Sequence, residues 1–190
     1  MTTQMRWRIV SLQVILVFVL GFCAGFAFWA SGFVNGMVHD QLVAQQISFP
    51  AASEIKPGGA LDPAEFPAEI RNYAGQQVDN GDKARVYAND FIGIHLDKVA
   101  NGKTYSQVSA ASQADPKNTT LQNQANTLFK GETLRGLLLY AWGWSQVGLY
   151  ALYAAIALTV ATIAVFGALV FELVVALRPA EARRTRTQPA

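Results

Sequence analysis

His39 and His95 are the two imidazoles of this 190-residue chain, and each has a carboxylate nearby, Asp40 directly after the first and Asp97 two residues after the second. Two imidazoles and a carboxylate are the donor set of a non-haem ferrous centre. Building one here would require residues 56 apart in sequence to converge. Nothing in the spacing demands that, and a solvated or hydrogen-bonded histidine is the simpler reading of each. Cys23 is the single thiol, so no intramolecular disulfide can form. A zinc site lacks both a cysteine cluster and an HExxH pair. No serine sits in a nucleophile elbow, and no glycine-rich loop follows a strand. Asn118-Thr119-Thr120 fits the glycosylation triplet, a pattern common by chance. No cofactor is expected from this inventory.

The elements that would carry any such chemistry are dominated by two uncharged runs. Ile9 to Ala30 contains no charged residue; as helix it measures ~33 Å, enough for a ~30 Å hydrocarbon core. From Arg135 to Glu172 charge is again absent, a stretch of ~54 Å as helix, whose excess must tilt, kink or project. Tyr140, Trp142, Trp144, Tyr150 and Tyr153 gather at the start of this second run, as do Trp29 and Phe33 at the end of the first. Amphipathic rings collect at headgroup level, so these mark a shared interface, with Trp7 at the opposite one.

Charge sets the orientation. Arg6 and Arg8 precede the first run, and Arg178, Arg183, Arg184 and Arg186 follow the second, whereas residues 31–145 hold eleven acids and nine bases. Short basic tails stay in the cytoplasm. The expected layout is therefore a cytoplasmic 1–8, a first span over 9–30, an extracytoplasmic helical domain over 31–145, a second span over 146–177 and a cytoplasmic basic tail over 178–190, in a bacterial plasma membrane. A cleaved leader would also begin with Arg6 and Arg8, but its apolar core is shorter, and bulky Phe22, Phe26, Phe28 and Trp29 favour an uncleaved anchor. The net charge of +2 is no nucleic-acid signature. Glu172, six residues before Arg178, is read as a boundary carboxylate within reach of interfacial water or that arginine.

Small residues recur at helical spacing in both spans: Gly21, Gly25, Gly32 and Gly36 in the first, and Ala154, Ala157, Ala161, Ala164 and Ala168 in the second. Helices in lipid gain little from apolar burial, so close backbone approach must hold them together. These faces suggest a tight antiparallel pair within the chain, or pairing with other subunits or a second copy. Glycine and alanine are also simply common in membrane helices.

Between the spans the pattern is helical throughout. Asp62-Pro63 with Glu65 is expected to start a short helix. Asn80-Gly81 is a turn, with Asp82 capping an amphipathic segment Lys83–Ala100 whose helical-spaced positions are Ala84, Tyr87, Phe91, Ile94 and Leu96 or Lys98; Asn101-Gly102 closes it. A second helix is expected over Thr104–Ala114, and a third, capped at Asp115-Pro116, is expected to run on into the membrane. The fold class is thus an all-α membrane protein, two transmembrane helices flanking a small helical domain.

Several stretches carry a family resemblance: Gln45-Gln46-Ile47-Ser48-Phe49-Pro50, Tyr73-Ala74-Gly75-Gln76-Gln77, Gly81-Asp82 through Tyr87, Phe91–Leu96, Gly102-Lys103-Thr104-Tyr105 with Val108-Ser109, and Leu128 through Gly136. Over about residues 40 to 150 the chain resembles an actinobacterial family of two-span membrane proteins. Members often bear the name of an aromatic ring-opening dioxygenase. The resemblance implies the two-span layout and supplies no catalytic residues. The leading expectation is a non-enzymatic accessory subunit or scaffold. A small-molecule or lipid-binding sensor or carrier is second, and an enzyme third.

Overall fold

A computed structural model describes residues 3–58 and 62–184, with side chains on the last helix described through Val174. The described residues are helical with no strand, joined by a single isolated bridge pair. Two helices, α1 (Thr3–Ala44) and α6 (Thr119–Arg184), are long and apolar enough to cross a membrane. Both extend well beyond the uncharged runs that predict them, and α6 does run without a break from its polar start. Of the expected basic tail, Arg186 lies outside the described residues.

The chain divides into two compact units. The first comprises Met1–Gly32 and Leu149–Ala190. Here α1 and α6 run antiparallel: Arg6 Nε lies 3.7 Å from Glu172 Oε2, and a Cβ placed on Gly21 would lie 3.9 Å from the Thr162 methyl. The buried positions are Val10, Ala24, Ser31, Ala155 and Leu169. Hydroxyls in these helices bond back to carbonyls one turn earlier: Ser11 to Trp7 at 2.9 Å, Thr159 to Ala155 at 2.8 Å and Thr162 to Leu158 at 2.7 Å. Such back-bonding satisfies each hydroxyl within its own helix.

The second unit is Phe33–Gly148. After α1 come a 3₁₀ turn (Ala52–Glu54), α2 (Ala68–Asn72), α3 (Gly81–Val86), a π-helical segment (Tyr87–Gly93), α4 (Ile94–Ala100) and α5 (Tyr105–Ala114), before the N-terminal part of α6. Its core centres on Ile70, Val78, Val86, Val108 and Leu128, all essentially inaccessible. Each such side chain contributes ~1.5–3 kcal/mol relative to exposure.

Capping chemistry explains most boundaries. Asn80, rather than Asp82, is the N-cap of α3, its side-chain oxygen accepting from the Lys83 amide at 3.0 Å. Thr104 and Gln107 form a reciprocal capping box on α5. Asn101 and Gly102, at φ 51° and 75°, close α4 in the left-handed conformation. Two expected starts are displaced. Asp62 does not open a helix: its carboxylate accepts from the amides of Gly58 (2.6 Å) and Ala64 (2.9 Å), a turn that competes with helix, and α2 begins only after Pro67. Asn118 caps α6 in place of Asp115, accepting from the Leu121 amide at 3.1 Å.

The π-helical segment resolves a conflict of period. Ala84, Ala88, Ile92, Leu96 and Ala100 are all buried, four residues apart each time. In an α-helix a four-residue step drifts about 40° around the axis, so four steps would carry Ala100 to the far side. The wider i→i+5 turn absorbs that drift and keeps the five on one face. Tyr87, Phe91 and Ile94, expected as the apolar face, are only partly buried and pack on the edge of this core.

Candidate functional site

The two histidines are held by separate partners. His39 Nδ1 is 2.9 Å from the Asp79 carbonyl. His95 Nδ1 is 2.8 Å from the Phe91 carbonyl one turn back, and its ring packs at a tilt against Phe91 (4.6 Å between centroids) and Phe66 (5.2 Å). Among the described residues no three His, Cys, Asp or Glu side chains are grouped to hold a metal ion, so this donor set does not fit a ferrous centre. Instead, His95 lies within a run of packed rings, Tyr73–Phe49–Tyr87–Phe91–His95–Phe66, with Lys98 Nζ 4.8 Å above the last. Lys98 also pairs with Glu65.

The sequence stretches singled out above meet in space. Residues 47–50 clasp residues 75–78: Phe49 N donates to Gln76 O (2.9 Å), Gly75 N to Pro50 O (2.9 Å) and Val78 N to Ile47 O (2.8 Å). Phe49 lies under this clasp between Tyr73 and Tyr87. Stretches 93–97, 102–106 and 128–135 likewise converge on a cavity of about 370 Å³ beside the π-helical segment. Its walls include Asp97, Lys103, Tyr105, Glu132 and Arg135. Arg135 is fixed there by Asn89, whose side-chain oxygen accepts from Nη2 at 3.1 Å, and by Glu132 at 3.4 Å. Both charge signs are present and the guanidinium is already engaged, so the cavity is a polar cleft of mixed charge.

Two carboxylates of this unit titrate in opposite senses. Burial pushes the Asp90 carboxyl up, nearby Glu69 adds to the rise, and Arg85 opposes it. The folded chain therefore binds more protons than the unfolded chain between Asp90's ordinary value and its raised one, so stability falls as pH rises through that window. Asp62 is held low by the amides of Ala64 and Gly58; its contribution is present above its ordinary value and is lost as pH falls through the lowered one. Asp90→Asn is expected to raise the unfolding temperature at pH 7 relative to the parent. That gain should vanish below Asp90's ordinary value, as thermal melts in detergent across pH 3–7 will show.

A second cavity of about 510 Å³ runs between the C-terminal stretch of α1 and the segment Leu134–Trp144 of α6. It is apolar, floored by buried Leu42 and Leu138, with exposed Leu137 and Tyr140 at its rim. Sequence reasoning missed it, because its walls come from stretches about a hundred residues apart.

The small-residue faces fall where burial does not. Gly25, Gly32 and Gly36 have open space where a Cβ would point. Ala154, Ala157, Ala164 and Ala168 are exposed, and Ala161 is half-buried. Within the first unit, Val10, Ala24 and Ser31 with Ala155 and Leu169 form the buried positions, and none belongs to the two predicted seams; of the four predicted glycines, Gly21 is the one with an α6 atom within 4 Å of a Cβ. Glu172 pairs with Arg6, a partner from the other end of the sequence. Gln13 Oε1 is buried without a hydrogen-bond partner among the described residues. No family model, curated protein or solved structure matches the chain.

Proposed function

We propose that the protein is a non-enzymatic accessory subunit or scaffold of a bacterial plasma membrane, anchored by α1 and α6 with both termini cytoplasmic and holding Phe33–Gly148 outside. The short basic ends support that orientation. The observation that carries the subunit reading is the outward placement of the glycine and alanine faces. Small residues let a neighbouring helix approach closely in lipid, and apart from Gly21 and half-buried Ala161 these face away from the hairpin's other helix. Affinity purification of the tagged chain in mild detergent is expected to recover a stoichiometric partner or a second copy. Ala157→Leu with Ala164→Leu, on an exposed face, should release it without unfolding the chain. Recovery of a lone monomer would sink the reading.

A lipid- or small-molecule-binding sensor or carrier is the second reading, favoured by the apolar cavity beside Tyr140. The likeness to the ring-opening dioxygenase name stands third: it would need an iron site, and the histidines are engaged apart from each other.

A further inference from the structure

Two aromatic rings stand in the open where the rest of their unit hides its own. Of the large apolar side chains described between Val38 and Thr133, Tyr105 (39% exposed) and Phe129 (57%) are the exposed ones. They come from different helices, α5 and α6, yet their centroids lie 5.8 Å apart. Lipid does not account for them, because Lys130, Glu132 and Arg135 separate Phe129 from the uncharged run. A single exposed ring is ordinary on a surface; a pair brought together from two helices asks for an occupant.

Both rings line a cleft of about 390 Å³ between α5 and the start of α6. Its polar lining is Ser109, Ser112, Gln122 and Asn126, hydroxyls and amides without a charge. The charged side chains Asp97, Lys103, Glu132 and Arg135 line the neighbouring cleft, which shares only Tyr105 with this one. The neutral groups retain free donors and acceptors. Ser112 Oγ donates to the Ser109 carbonyl at 3.0 Å and keeps its lone pairs. Ser109 Oγ accepts from Gln113 Nε2 at 3.4 Å and keeps its proton. Gln122 donates one amide N–H to the Pro116 carbonyl and keeps Oε1. Among the described residues the Asn126 amide and the Tyr105 phenol have no hydrogen-bond partner.

A matching ligand has an apolar face for the rings and, around its edge, neutral groups that both donate and accept. A pyranose is such a molecule: its C–H bonds pack on an aromatic face while its hydroxyls meet amides and hydroxyls. A lipid tail would leave the polar groups unmatched, and an ion would find no countercharge.

We propose that this cleft binds a neutral saccharide, one pyranose face against Tyr105 and Phe129 and its hydroxyls toward Gln122 and Asn126. The proposal goes beyond the scaffold reading and does not depend on it. The test is saturation-transfer NMR on the full chain in a detergent without a sugar headgroup, with maltotriose, cellotriose and triacetylchitotriose as probes. At least one is expected to receive saturation, strongest at its ring C–H protons. Phe129→Ala should weaken that binding about tenfold, the scale of one lost ring contact. Asn126→Ala should weaken it several-fold. Both positions are exposed, so melting temperatures should hold. Phe129→Trp should keep the binding, and charged trigalacturonate should bind more weakly than the neutral probe. Co-sedimentation with purified peptidoglycan sacculi, reversed by the bound probe, would assign the saccharide to the wall; a chain left in the supernatant would assign it to free sugar. No transfer to any of the three probes at millimolar concentration would overturn the proposal. So would binding unchanged in both alanine variants, or trigalacturonate bound as tightly. A co-purifying protein released by Phe129→Ala would overturn it in favour of protein docking, whereas release by Ala157→Leu with Ala164→Leu bears on the scaffold reading alone.

Discussion

Gly81→Ala is expected to destabilise the Phe33–Gly148 unit, against the usual gain from replacing glycine in a helix. A Cβ on Gly81 would stand 1.9 Å from Ser145 Oγ, 2.4 Å from Ser145 Cβ and 3.3 Å from Trp142 Cα. The hydroxyl can rotate away, at the expense of its 2.7 Å bond to the Trp142 carbonyl. Ser145 Cβ cannot, because it is fixed to the backbone of α6. The start of α3 must therefore lift off α6. Overpacking of this kind costs ~1–3 kcal/mol, more than the ~1 kcal/mol by which alanine is favoured over glycine in a helix. Ser145→Gly removes both offending atoms, so the double variant is expected to regain most of the loss. Melting temperatures of the four chains of this cycle measure the coupling. Equal costs for Gly81→Ala in the presence and absence of the Ser145 side chain would refute the contact.

Phe49→Ala should cost more, ~3–5 kcal/mol by the usual scale for a buried phenylalanine. The ring is 3% exposed and packs on Tyr73 at 5.4 Å and, edge-on, on Tyr87 at 5.2 Å. Its amide is also a rung of the clasp between residues 47–50 and 75–78. Removing the ring leaves that clasp without its apolar floor, so local opening should accompany the global loss. Hydrogen exchange at the amides of Gly75 and Val78 is expected to accelerate in Phe49→Ala, with Phe49→Leu intermediate. Unchanged exchange there would show that the clasp stands without the ring.

Sequence pattern made the helical character legible, and it did so where local physics is sufficient. Asn101-Gly102 stopped a helix as expected, Thr104 began one, and α6 ran unbroken through its charge-free stretch. Errors arose where a side chain had two local uses. Asp62 satisfies a turn rather than a helix start, and Asn118 outcompetes Asp115 for the cap of α6. The direction in which the glycine and alanine faces point could not be read, because periodicity places residues on a common face without saying what that face meets. Candidate sites were less legible still. The polar cleft and the apolar cavity each join stretches far apart in sequence, and neither leaves a local motif. The histidines showed the converse: a plausible donor set by composition, engaged separately in the fold.

The π-helical segment between α3 and α4 also makes this helix longer than its job requires. Sixteen residues separate Ala84 from Ala100 along one buried face, whereas four ordinary α-turns take about 14.4. The surplus, between one and two residues, is slack in the chain's length rather than a break in its path. A relative lacking one residue within Tyr87–Gly93 would keep the same five positions almost in line with tighter hydrogen bonding. A relative with one inserted there would have to bulge. Length variation in this region is therefore expected to run in one direction, toward shorter.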